Sequence, residues 1–290
     1  MLSELNHIEA REEFDTARRR AFWRTVTRLP GGYRTLRLPT IDKVLKAARF
    51  QARASRGVQD ILLDHIVGTA TAAKRVDFDS AFLPLARRQR ERWSRLFAFM
   101  VAGIGDVPPI EVFQLEHAYY VVDGHHRVSI ARALGRDRIE AKVTEIWTRA
   151  PIGADLDEPS LRRAADYANF LERTGLDRVR PNARVALIGL GRYEELYSHI
   201  VGHKYFLSLE QHRDVPLEVA AASWYDNVYV PVTQLVSRHR IVERMHRKST
   251  PVDAYVAVTK TWLERGDSHA GVHSLLEGLR TRPRRRLFAS

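Results

Sequence analysis

The chain has 290 residues, 44% of them hydrophobic, which is enough apolar material for one large domain or two ordinary ones. It has no cysteine, so disulfides, thiolate nucleophiles and cysteine-bound zinc are all excluded, and whatever chemistry occurs must use oxygen and nitrogen groups. The net charge of +12 is unevenly spread: residues 1–56 hold 13 Lys/Arg against 6 Asp/Glu, residues 57–150 hold 13 against 12, and five arginines crowd between Arg280 and Arg286.

The N-terminus alternates acids with arginines and lacks the apolar stretch of a secretory signal, and no run approaches about 18 uncharged apolar residues. A cytoplasmic protein without membrane contact is the expectation. From Ser3 to about Arg28 the apolar residues Leu5, Ile8, Phe14, Ala17, Ala21, Phe22 and Val26 recur near helical spacing, and Pro30-Gly31-Gly32 ends the pattern. Thr40 suits the cap of a second helix whose face is Ile41, Val44, Leu45, Ala48 and Ala52. Residues 1–56 therefore read as a helical arm.

Gln59 to Val67 is short, rich in branched residues and bounded by glycines, as a strand is. A turn is expected after Asp77-Phe78-Asp79. Pro84 fits an early helical position, and Trp93, Leu96, Phe97 and Met100 make a helical stripe that stops at Gly103. The runs Ile110–Leu115 and Tyr119–Val122 predict a hairpin. A helix follows over 126–134 up to Gly135, and the alternation of Ile139 to Val143 predicts a further strand. Beyond Pro151 the pattern is mostly helical, punctuated at Gly175, Pro181-Asn182, Pro216, Pro231, Pro251 and Gly266. The expected organisation is an arm over 1–56, a mixed domain over 57–150, and a helix-rich domain with a basic tail over 151–290.

Asp123-Gly124-His125-His126-Arg127 lies between an apolar strand and an amphipathic helix. A helix N-terminus presents unsatisfied N–H groups and partial positive charge, glycine permits close approach, and a guanidinium grips phosphate with parallel hydrogen bonds. The segment is thus a candidate anion site, most naturally for a nucleotide phosphate, with His125 and His126 as further donors that could be protonated there.

The same residues resemble the ParB N-terminal/sulfiredoxin-like superfamily: a Gly-x-His-Arg turn, a preceding Pro109-Ile110-Glu111-Val112 strand, and a following helix ending in glycine. The resemblance covers about residues 57–147 and implies an α+β fold with a small mixed sheet. It also implies phosphate binding at Gly124, His125, His126 and Arg127, with Lys74 and Arg75 as an accompanying basic pair. The nucleotides bound across that superfamily are CTP, ATP and ADP, with Mg²⁺, so those are the implied cofactors. Sulfiredoxin's catalytic cysteine is replaced here by His125, which excludes that activity. ParB's Glu-Arg-Arg after the glycine is absent, and no clear helix-turn-helix follows residue 150. The segments Arg192–Leu207 and Trp224–Pro231 resemble a helical domain that accompanies ParB-like domains in some bacterial proteins.

A nucleotide-dependent kinase or triphosphatase would need a carboxylate base. Asp60, Asp64, Asp77, Asp79, Glu111 and Asp123 all qualify by type, with Asp123 and His126 the candidates closest to the turn. The alternative is a nucleotide-responsive DNA-binding or regulatory protein that uses its basic ends. No metal site is expected. Adjacent helical residues point about 100° apart, so His125 and His126 do not share an ion. Glu195, His199 and His203 share a face but Ile200 stands where a zinc-protease glutamate would be. Gly189-Leu190-Gly191 lacks the third glycine of a dinucleotide fingerprint, Gly68 to Lys74 lacks the ending of a P-loop, and Trp224, Tyr225 and Tyr229 read as domain packing rather than a base-stacking platform.

Overall fold

The computed structural model describes residues 2–27, 37–103, 106–152, 158–185, 192–238, 240, 242 and 250–265. The chain divides into two compact units, one built on the residues up to Thr148 and the other containing the helices from Glu158 onward. The fold is α+β, with a five-stranded mixed sheet in the first unit and helices throughout the second.

The first unit begins with α1 (Leu2–Val26) and α2 (Ile41–Ala48). On α1 the buried stripe is Ala10, Phe14, Ala17 and Ala21, whereas Ile8, Phe22 and Val26 are exposed. The expected face was too wide: among the described side chains the buried stripe has three alanines beside Phe14, and so narrow a ridge lets α1 lie close on α3 (Arg90–Ala102). There Phe14 meets Trp93 edge-on at 5.7 Å, and the Ser94 hydroxyl donates to the Ala10 carbonyl at 3.1 Å. Thr40 precedes α2, but its side chain makes no capping bond; its backbone bridges Thr69 instead. The expected terminator Pro30-Gly31-Gly32 lies outside the described residues.

The sheet has the order β1-β5-β3-β4-β2, formed by β1 (Phe50–Leu62), β2 (Ile66–Thr69), β3 (Ile110–Leu115), β4 (Ala118–Asp123) and β5 (Arg138–Thr148). β1–β5 and β3–β4 are antiparallel, while β5–β3 and β4–β2 are parallel. Two elements differ from expectation. α2 stops at Arg49, whose φ of 59° turns the chain, and residues 50–56 are strand rather than helix. That stretch has weak strand propensity of its own, so its pairing to β5 decides its conformation. The single strand expected over 59–67 is split by a 3₁₀ turn at Leu63–His65.

Pro84 also departs from the reading. It bridges Phe78 in an extended segment, and α3 begins later, after a 3₁₀ turn at Arg87–Gln89. The β3–β4 hairpin turns at Glu116-His117, with Leu115 opposite Ala118, and α4 (His125–Ala133) follows β4 after the single residue Gly124. Beneath the sheet Ile61, Ile66, Phe78, Phe82, Ile110, Val112, Val121, Val128 and Val143 form a core cluster. Another cluster joins Phe14, Trp93, Phe97, Met100 and Ile130.

The second unit contains α5 (Glu158–Thr174), α6 (Leu176–Val179), α7 (Tyr193–Gln211), α8 (Leu217–Trp224), a π-helical turn at Tyr225–Tyr229, α9 (Val230–Arg238) and α10 (Pro251–Arg265). Trp224 and Tyr229 are buried with Tyr255, whose hydroxyl accepts from the Trp224 indole at 3.1 Å. Among the described residues no helix is long and apolar enough to cross a membrane.

Candidate functional site

β4 and β2 run parallel, so their carboxyl ends lie side by side, and α4 starts at that same edge of the sheet. Gly124 makes the junction at φ 101°, ψ 17°. A Cβ there would stand 2.5 Å from Ile110 Cγ2, so both the backbone conformation and the space demand glycine. No side chain caps α4, which leaves the first amides of the helix available to an anion. Beside them the end of β2 folds over: Ala70 N donates to the Val121 carbonyl at 2.8 Å and Thr71 N to Thr69 Oγ1 at 2.9 Å.

His125 and His126 turn inward from this junction. Both are buried, at 3% and 6% exposure. His125 Nε2 lies 2.7 Å from Thr69 Oγ1, and its ring stacks near Phe78 and Phe82. His126 Nε2 lies 2.9 Å from Gln89 Oε1 and packs edge-on against Phe78. Gln89 also bonds the Asp77 carboxylate, which only its amide nitrogen can do. Its oxygen therefore faces His126, and His126 carries its proton on Nε2. Burial lowers the pKa of both rings to about 4, helped for His125 by the charge of Lys74 and for His126 by those of Arg92 and Lys74. Around neutral pH both are uncharged, where the sequence reading had allowed either to be protonated.

Arg127 is already engaged. Its Nη1 donates to the carbonyls of Pro108 and, at 2.8 Å, Pro109; its Nη2 donates to Asp123 Oδ2 at 2.6 Å. The guanidinium thus ties the segment before β3 to the start of α4, and its side chain is 12% exposed while that of Asp123 is 68% exposed. Lys74 sits in a 3₁₀ turn at Ala72–Val76 and reaches Asp77 Oδ2 at 3.7 Å, beyond hydrogen-bonding distance. Arg75 Nε donates to the Leu38 carbonyl at 3.0 Å, so it braces the loop before α2.

The carboxylates sort themselves by position. Asp77 binds Arg88 at 2.7 Å; burial raises its pKa, but the bonds from Arg88 and Gln89 and the charges of Arg88 and Lys74 outweigh that, and the net shift is downward. Glu111 is opposite Asp123 in the β3–β4 ladder. Asp60 pairs with Arg138, Asp64 lies with Arg132, and Asp79 is buried beside Arg24, all away from the turn. Thr69, Gln89 and Phe78 were not singled out from sequence, since nothing local marks them. In the second unit His199 Nδ1 meets the Tyr255 hydroxyl at 3.2 Å and His203 Nε2 meets Ser223 Oγ at 2.9 Å. Among the described residues no cluster of three His, Asp or Glu is placed to hold a metal. Gly189-Leu190-Gly191 and the arginines from Arg280 to Arg286 lie outside the described residues.

Residues 48–159 match the family described as the ParB N-terminal domain, a span that contains the whole sheet, α3 and α4. No curated protein matches the chain.

Proposed function

We propose, on the premise that residues 48–159 are a ParB N-terminal domain, that this protein binds a nucleotide through its phosphates at the start of α4. The observation that carries the reading is Gly124: a left-handed residue with no room for a Cβ, leading into a helix whose first amides have no side-chain acceptor. Lys74 adds a cation that its long approach to Asp77 leaves largely uncommitted. The Arg127–Asp123 pair is exposed on the Asp123 side, and exposed pairs hold weakly, so a phosphate can take over Nη2 while the bonds to Pro108 and Pro109 keep the guanidinium in place. His125 and His126, being neutral and packed, hold the turn in shape.

The nucleotides to test are CTP, ATP and ADP, each with Mg²⁺. Asp123 is the exposed carboxylate at the turn and is the residue we assign as general base if phosphoryl transfer or hydrolysis accompanies binding. His126, with its pKa lowered to about 4, is uncharged near neutral pH and a weak base, and serves better as a hydrogen-bonding support.

Calorimetric titration of the three nucleotides into the full chain tests the proposal. Saturable binding of at least one is expected, weakened about tenfold or more in Lys74→Ala, because a charge-assisted bond contributes roughly 1.5–3 kcal/mol. No heat and no saturation with any of the three, at millimolar nucleotide, would overturn it.

A further inference from the structure

The far end of α4 opens on a groove of about 1100 Å³, bounded by the last turns of α1, the Leu62–Leu63 junction and the segment at Ala81–Leu83. Five arginines line it: Arg20 and Arg24 from α1, Arg132 from α4, Arg136 between α4 and β5, and Arg138 at the start of β5. The lining carries two carboxylates, Asp64 and Asp137.

These arginines are unequally free. Arg132 is fixed, donating to the carbonyls of Leu63 at 2.8 Å and Ile66 at 2.9 Å with its guanidinium 5.1 Å from the Phe82 ring centroid. Arg24 neutralises the buried Asp79. Arg20 and Arg136 are exposed; among the described residues Arg20 has no partner, and Arg136 makes one long bond, 3.4 Å, to the Met100 carbonyl. Much of the remaining lining is apolar: Leu62, Leu63, Leu83 and Trp23, whose side chain stays 60% exposed.

Charge alone would attract any polyanion. A leucine-lined groove with an exposed indole adds preference for a ligand that alternates phosphates with flat apolar faces. A duplex hides its base faces inside the stack and offers mainly phosphates, whereas a single strand offers both. We propose that this groove binds single-stranded nucleic acid, with phosphates on Arg20 and Arg136 and a base on Trp23. The site is independent of the nucleotide reading, since the nine residues of α4 separate the two by roughly 13 Å at 1.5 Å per residue.

Fluorescence anisotropy with the full chain tests it, using labelled oligothymidylate or oligouridylate of about twelve nucleotides and a DNA duplex of the same length. The single strands should bind more tightly than the duplex. Arg20→Ala combined with Arg136→Ala should weaken single-strand binding about tenfold or more and lower the slope of log K against log salt by about 1.4, two phosphate contacts at about 0.7 each. Trp23→Ala should weaken single strands roughly tenfold and leave the duplex unchanged. All three side chains are exposed, so unchanged circular dichroism is expected, and Lys74→Ala should bind single strands as wild type does. Equal affinity for duplex and single strand, or wild-type single-strand affinity in the double arginine variant, would overturn the proposal.

Discussion

Gly124 carries two constraints at once, a φ of 101° and a wall of Ile110 atoms where a Cβ would stand. Gly124→Ala should therefore destabilise the protein by about 2–5 kcal/mol, the cost of a left-handed alanine added to that of overpacking. The urea midpoint measures this, and a midpoint within error of wild type would show that the turn is not strained. The two histidines beside it make a second prediction at the same scale. With folded pKa values of about 4 against about 6.5 in the unfolded chain, the unfolded state binds more protons between those limits. Their stabilising contribution is thus complete above about pH 6.5 and lost as pH falls toward 4, on the order of 3 kcal/mol for each histidine. Replacing both by glutamine should flatten that part of the pH–stability curve, whereas an equally steep curve in the double variant would place the titrating groups elsewhere.

At the scale of elements, Arg127 joins the Pro108–Pro109 segment to α4, whereas its pair with Asp123 faces solvent. Arg127→Ala should cost about 1–3 kcal/mol by leaving backbone carbonyls unpaired, and Asp123→Ala less than about 1 kcal/mol. Chemical denaturation of the two variants compares them directly; equal losses would mean that the exposed pair, not the carbonyl clamp, holds the segment. The parts of this region that were legible in the sequence are the local ones. The β3–β4 hairpin shows in the alternation of Ile110 to Val122, and the turn and α4 show in Gly124, the apolar spacing behind it and Gly135. What the sequence hid depends on partners far along the chain. Residues 50–56 are strand because β5 lies beside them, Pro84 is extended because Phe78 bridges it, and the histidines are neutral because Thr69, Gln89 and Phe78 enclose them. The arginine of the turn was readable as an anion grip, but its two backbone acceptors were not, since Pro108 and Pro109 are 18 or more residues away.

At the scale of the molecule, the family span 48–159 is narrower than the first compact unit. α1 lies outside that span, yet Phe14 and Ala10 cover Trp93 and Ser94 on α3. A fragment of residues 48–159 should accordingly be less stable than one of residues 1–159 by several kcal/mol, because removing α1 uncovers large apolar side chains of α3. Urea unfolding of the two fragments decides it, and equal midpoints would show α1 to be an appendage. The +12 charge has similarly local meanings: part of it on α1 is spent within the fold, as Arg24 on Asp79 and Arg11 on Glu91, while Arg20 remains free among the described residues.

Phosphate binding at the first amides of α4 is best checked by ¹⁵N amide chemical shifts of the full chain on addition of CTP, ATP or ADP with Mg²⁺. The largest saturable shifts are expected at His125, His126 and Arg127, with Ala70 and Thr71 following. Saturable shifts confined to other parts of the chain, with those five amides unmoved, would contradict it.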